Sequence, residues 1–521
     1  IRLLMFIGLV LCCSSTVAQP MPQLYIPLER EPLAPLIPQL SQDDWQALRQ
    51  SPTLRIALWA PDIPPYLTFL DMSSEEKNVE GVFADYARLI SQALGMRIEM
   101  LRYADRDAAL AAIAADQADM LFSKAGNTVP ANAQLDASQN LLINRPVVVT
   151  QRDRAMQPVP YAAPVRLAVD QHYLSDSVIR AQFPQAHIMR YASSRVALSA
   201  LATGEADYVL DNLTSASFLI ERNYLNQLAL ADILAPRAQD ASRLLVSQRR
   251  PVLLRAINRV IAAIPAEQHR AISRQWTQRP DIWRLQQPLA LTAAEQRWLQ
   301  QHGSVRVGFN PFFAPLALLD GRNQFQGISA ELLHQIHLRT GINFVAVPEY
   351  HEDTLLMQLQ QHKIDMVAAL SYNAQWPGRF TQPWLHTPFV LITAANAGAP
   401  AALHSGLRIS VMKGSPVIGW LQQHYPEVQL QLVDNASLGM QQVVEGKADG
   451  MVHNQLGAAY LIKRYFSGRM RIVQRVGTQP AHISFAVHAG DPELLSIMNK
   501  ALNEISPSEI SQLTSRWQGT P

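Results

Sequence analysis

The chain has 521 residues, more than one ordinary core accommodates, so roughly two to four domains are expected. Its 48% hydrophobic and 17% charged residues exclude extensive disorder. A formal net charge of +2, with no basic run, gives no electrostatic ground for a nucleic-acid partner.

In chain order, Arg2 is followed by an apolar stretch from Leu3 to Leu11 and by small residues ending Thr16-Val17-Ala18. This layout reads as a secretory signal peptide over residues 1–18. The apolar run is about half the roughly 20 residues of a spanning helix. Cys12 and Cys13, the only cysteines, lack the small residue that precedes a lipidated cysteine. The exported chain is therefore expected to carry no disulfide and no thiolate metal site. Residues 19–50 form a lead segment.

From residue 51 onward the chain repeats itself. Leu54-Arg-Ile-Ala-Leu58 matches Val305-Arg-Val-Gly-Phe309, and both alternate as half-buried strands do. Gly81, a helical pattern and Gly95 match Gly327, a helical pattern and Gly341. The second glycine of each falls where a helix C-cap belongs. Ala118-Asp119-Met120 matches Ile364-Asp365-Met366, Gly204-Glu-Ala-Asp207 matches Gly446-Lys-Ala-Asp449, and Arg274-Gln-Trp276 matches Ser515-Arg-Trp517. The offsets run 251, 246, 246, 242 and 241, the smooth drift that loop deletions leave in a duplicated domain. The leads repeat as well, with Leu40, Asp44 and Trp45 before one copy and Leu291, Glu295 and Trp298 before the other. The expected domains are 51–279 and 304–521, joined by a structured connector over 280–303.

Each copy alternates strands with helices, which predicts α/β layers on largely parallel sheets. The pattern restarts mid-copy, at Val165-Arg-Leu-Ala-Val169 and Leu407-Arg-Ile-Ser-Val411, so each copy is expected to have two lobes. Val147–Thr150 and Val390–Thr393 are the expected crossing strands, with a second crossing near Leu244–Val246 and Phe485–Val487.

These ordered motifs, with Phe380-Thr-Gln-Pro-Trp384, Val411-Met-Lys-Gly-Ser415 and Glu445-Gly-Lys-Ala-Asp449, resemble the family-3 extracellular solute-binding proteins. The resemblance covers about 51–279 and 304–519. It implies two tandem bilobed domains of the type II, Venus-flytrap kind. Two such domains behind a signal peptide resemble the periplasmic half of BvgS/EvgS-type sensor histidine kinases. That resemblance implies periplasmic sensing and homodimerisation through a membrane-anchored parent. The alternative is a stand-alone binding protein that delivers solute to an ABC permease.

A cleft between lobes is lined by loops at the carboxyl ends of strands. In the second copy those loops offer Phe312, Phe313 and Ser371. The family's carboxylate-clamping arginine falls at Gln375, with Arg379 nearby as a candidate substitute. Lys413, Gly414 and Ser415 precede an apparent helix, where exposed amides favour an anion. The family's ammonium-binding aspartate falls at Asn454 and, in the first copy, at Asn212. This argues for a small organic anion over a standard amino acid. The first copy has lost the Lys-Gly-Ser loop to Gln171-His-Tyr173, and Tyr66, Ser123 and Lys124 are its candidate cleft residues.

No nucleophile elbow, zinc-protease motif or phosphate loop occurs, so neither catalysis nor a cofactor is expected. His334 and His337 share a helix face but are read as solvated. Eleven of 14 histidines follow residue 300, and His453 beside Asn454 is a candidate pH-responsive group.

Overall fold

The computed structural model describes residues 21–71, 76–277, 282–374, 376 and 378–519. The expected signal peptide and Gln375 lie outside the described residues. No described helix is long and apolar enough to cross a membrane. The chain divides into two compact units.

Of the described residues, the first unit holds 21–71, 76–144, 171–175 and 238–277. Its sheet is centred on Thr53–Trp59, which pairs in parallel with Arg97–Tyr103 and Met120–Ser123. The lead segment contributes a strand of its own: Gln23–Pro27 joins this sheet antiparallel to Arg97–Tyr103. Helices Val82–Leu94, Pro251–Ala263 and Ala266–Trp276 cover a core built on Leu54, Ile56, Phe83 and Leu89.

Of the described residues, the second unit holds 145–170, 176–237, 282–374, 376 and 378–519. Within it, residues 146–233 form a five-stranded sheet led by Arg166–Asp170. The second copy forms one nine-stranded sheet. At one end Ser304–Phe309 runs parallel to Asn343–Pro348 and Met366–Ser371. At the other, Arg408–Met412 runs parallel to Gln429–Val433 and Gly450–Asn454. The long antiparallel strands Leu385–Ala394 and Met470–Val487 join the two lobes. Their register slips between Thr387 and Phe389 and again between Leu391 and Ile392, where a bulge lets a strand bend.

A side-chain device explains much of the sequence repeat. In each of the four lobes an arginine on the opening strand meets the repeated aspartate: Arg55–Asp119, Arg166–Asp207, Arg306–Asp365 and Arg408–Asp449. Each carboxylate also accepts the arginine's own backbone N–H, at 2.7–2.9 Å. The aspartate N–H in turn donates to the arginine carbonyl. Charge-assisted, bidentate bonding fixes both residue types at once. Gly327 has φ +114°, and a Cβ there would lie 2.6 Å from the Leu316 carbonyl oxygen, so no larger residue fits. Each copy's terminal tryptophan bonds an acid on the helix that such a glycine opens, Trp276 to Asp85 and Trp517 to Glu331.

His334 and His337 are not solvated. They face the edge strand Leu228–Ile233, where His334 Nε2 is 2.7 Å from the Leu230 carbonyl and His337 Nε2 is 3.1 Å from that of Ala231. The core beneath that strand takes in Ile282, Leu285 and Leu338, so apolar surface from the connector and the second copy accounts for the burial.

Candidate functional site

The second copy holds a cavity of about 40 Å³ between its lobes. One wall carries Asn310, Phe313, Glu352, Leu370, Ser371 and Trp376; the other carries Met412, Lys413, Gly414, Ser415, His453 and Asn454. The volume suits about three or four waters, at roughly 10–15 Å³ each. Residues of both lobes border this one cavity.

Six of the expected residues meet here: Phe313, Ser371, Lys413, Gly414, Ser415 and Asn454. Two do not. Phe312 is 43% exposed, with its ring 5.6 Å from that of Tyr350. Arg379 lies on the short strand Arg379–Phe380, paired with Val487 and exposed. Alternation along a strand sends neighbouring side chains to opposite faces. Phe380 packs toward Trp376 and Tyr372, so Arg379 points away from them.

The Lys-Gly-Ser loop is built differently from a row of open amides. The Lys413 N–H donates to Val433 O and the Ser415 N–H to Met412 O, and Pro416 has no N–H to offer. The Lys413 ammonium is 2.7 Å from Asp434 and half exposed, and that partner holds its pKa above the ordinary lysine value. Gly414 sits at φ +71°, and a Cβ there would lie 2.8 Å from the Trp376 ring and 3.3 Å from Glu352 Oε1. The glycine is what allows this loop to close on the opposite wall.

Asn454 is an N-cap. Its Oδ1 accepts the Gly457 N–H at 2.8 Å, and its Nδ2 lies 3.3 Å from His453 Nε2. Asn212 caps its own helix in the same way through Ser215. Asparagine at these positions satisfies a helix end, and in the second copy it leaves an amide donor beside the cavity.

Sequence reasoning missed Glu352 and Trp376. Glu352 opens the helix Glu352–Gln360. The residue is only partly buried, but its carboxyl end is turned into the cavity wall. Burial, aided by Asp353, raises its pKa to about 7. Burial alone lowers that of His453 to about 4. The signal for Glu352 was an acidic residue at a helix start after the second strand, but it sits in a polar run that reads as solvent-facing.

In the first copy the candidates divide between the two units. Tyr66 is fully buried, with its hydroxyl bonded by Asn144 and its ring 4.8 Å from Phe83. Lys124 is buried, its ammonium 5.9 Å from the Tyr173 ring centroid. Ser123 ends its strand opposite Arg243, half-buried. The segment replacing Lys-Gly-Ser is tied by backbone bonds from Thr128 N to His172 O and from Leu174 N to Gly126 O.

A sequence profile of the bacterial extracellular solute-binding proteins, family 3, matches residues 58–279 and 305–520. The chain belongs to this family. Virulence sensor protein BvgS of Bordetella pertussis (strain Tohama I) is 34% identical over 487 residues, 92% of this chain and 39% of that protein. Sensor protein EvgS of Escherichia coli (strain K12) is 30% identical over 457 residues, 87% of this chain and 38% of that protein. The chain thus spans about two-fifths of the length of these relatives. The crystal structure of the B. pertussis BvgS periplasmic domain matches at 32% identity and a TM-score of 0.75, covering 96% of each chain. The fold is two tandem Venus-flytrap domains, and the chain is similar over 96% of its length to the BvgS periplasmic domain.

Proposed function

We propose that the chain is the periplasmic ligand-sensing region of a transmembrane sensor histidine kinase. In this reading it works as a homodimer through its membrane-anchored parent and binds a small organic anion in the second cleft. The single observation that carries the sensing role is the match to the BvgS periplasmic domain through both copies in the same order.

The anion reading rests on the donors around the cavity. Asn454 Nδ2 and the hydroxyls of Ser371 and Ser415 border it. Below pH about 7 the Glu352 carboxyl is protonated and donates as well. Position 454 carries no carboxylate for an α-ammonium. Lys413, held at the rim by Asp434, contributes field more than contact. Parting and closing of the lobes bends the strands Leu385–Ala394 and Met470–Val487 at their register slips. The terminal helix Pro507–Gly519, tied to Glu331 through Arg516 and Trp517, follows the first of the two lobes.

The sensing role is tested by the reading frame beyond Pro521. A membrane helix followed by a phospho-acceptor histidine domain is the expected result. A stop codon directly after Pro521 would reject it in favour of a soluble binding protein.

A further inference from the structure

The two copies differ in charge at a place far from the cleft loops, the amino-terminal edge of each opening lobe's strands. In the first copy, Asp116 and Asp119 are bridged by the guanidinium of Arg250, 3.5 Å and 3.2 Å away. Arg55 neutralises the same pair from the other side. The second copy repeats the backbone hydrogen bonds of this corner. Asp116 and His362 both have left-handed backbones, φ 59° and 55°. Their N–H groups donate to Ile113 O and Leu359 O. The Ser247 N–H donates to Asp119 O as that of His488 does to Asp365 O, and Arg250 reaches Ser247 O as Asp491 reaches His488 O. Arg250 and Asp491 each precede a helix that begins with proline.

The substitutions at this corner are therefore Asp116 by His362, Ser247 by His488 and Arg250 by Asp491. The guanidinium has become a carboxylate, and two imidazoles have been added. Two aspartates facing two arginines in the first copy sum to zero. In the second, Asp365 and Asp491 face a single guanidinium, Arg306, and the two imidazoles. His362 Nε2 lies 3.0 Å from Asp491 Oδ2 and 3.3 Å from Asp365 Oδ1, and His488 Nδ1 lies 3.8 Å from Asp491 Oδ2 and accepts the Gly490 N–H at 3.1 Å. The imidazole rings stack at 3.9 Å. One donor atom from each of His362, His488 and Asp491 falls within a 4.8 Å span.

We propose that His362, His488 and Asp491 form a binding site for a divalent transition metal, which takes the place that the Arg250 guanidinium holds in the first copy. Two imidazoles and one carboxylate suit Zn²⁺ and its neighbours. Mg²⁺ and Ca²⁺, which want more oxygen ligands, are disfavoured. Asp365, already bidentate to Arg306, faces the same His362 Nε2 at 3.3 Å and adds negative charge beside the ion. His362 is 44% exposed, which gives the ion a way in. The metal ties the turn after helix Glu352–Gln360 to the end of the crossing strand Met470–Val487 and the start of helix Pro492–Glu504.

The test is a Zn²⁺ titration of the untagged, chelator-treated full chain, read against a chromophoric chelator. The variants are His362→Gln, His488→Gln and Asp491→Arg, the last restoring the first copy's residue. His386→Gln with His482→Gln is the control, because those rings also approach closely, Nδ1 to Nδ1 at 2.8 Å. Saturable Zn²⁺ binding is expected, weakened at least about tenfold by each of the three variants, unchanged by the control pair and not displaced by millimolar Mg²⁺. Thermal melts without metal verify folding, and Asp491→Arg should melt no lower than the parent. Zn²⁺ affinity unaltered in both histidine variants, loss in the control pair instead, or no saturable binding by the parent would overturn the proposal.

Discussion

Glu352→Gln isolates the electrostatics of the cleft. Glutamine keeps the shape and removes the ionisable proton. The carboxyl is raised from 4.5 to about 7, by burial first and by Asp353 second. The folded state therefore binds more protons than the unfolded state between those values, so stability falls as pH rises through that window. A gap of about 2.5 units at 1.4 kcal/mol each is an upper bound of about 3 kcal/mol. Relative to the parent, the variant should gain about 3 kcal/mol at pH 8 and under about 1 kcal/mol at pH 5. Partial opening of the cleft, which rehydrates the carboxylate, reduces the first figure. For a domain of this size, scanning calorimetry should place the variant's second-domain transition about 5–10 °C higher at pH 8. An equal shift at both pH values, or a less stable variant at pH 8, would refute the assignment of a buried, proton-retaining carboxyl.

His453 acts with the opposite sign. Burial lowers it from 6.5 to about 4, so its contribution is complete above pH 6.5 and lost as pH falls toward 4. His453→Gln should flatten the acid limb of the melting profile by up to about 3 kcal/mol, and an unchanged limb would remove this residue from the pH response. Gly414→Ala should disfavour closure, because φ +71° and a Cβ 2.8 Å from Trp376 cost about 1–3 kcal/mol; small-angle scattering should report a more open second domain. Lys500→Met leaves the Glu295 carboxylate buried without its 2.7 Å partner. That loss should cost about 3 kcal/mol in calorimetry at pH 7, and Glu295→Gln with Lys500→Met should recover much of it.

The duplicated fold was legible because its markers are physically obligatory. The Arg–Asp pair fixes two residue types per lobe, and Gly81 and Gly327 stand where a Cβ would strike a backbone carbonyl. The strand in the lead segment was not legible, since Gln23–Pro27 is short and ends in proline. The cleft was only partly readable. Loop positions gave Phe313, Ser371, Gly414 and Asn454, but partners distant in sequence decide what such residues do. Asp434, 21 positions from Lys413, takes its ammonium, and the pairing of Arg379–Phe380 with the second crossing strand turns Arg379 away. Glu352 was hidden for the same reason: the wall that buries it includes Gly414, far along the chain.

The central claim, that the second cleft takes an organic anion, is tested most directly by calorimetric titration of the full chain with small carboxylates and amino acids between pH 5.5 and 8.5. An anion that accepts a hydrogen bond from protonated Glu352 should bind progressively more weakly as pH rises through about 7, by up to about tenfold per unit, and Glu352→Gln should abolish that slope. Tight binding of a zwitterionic amino acid that strengthens with rising pH would mean that Glu352 holds an ammonium, and would contradict the account.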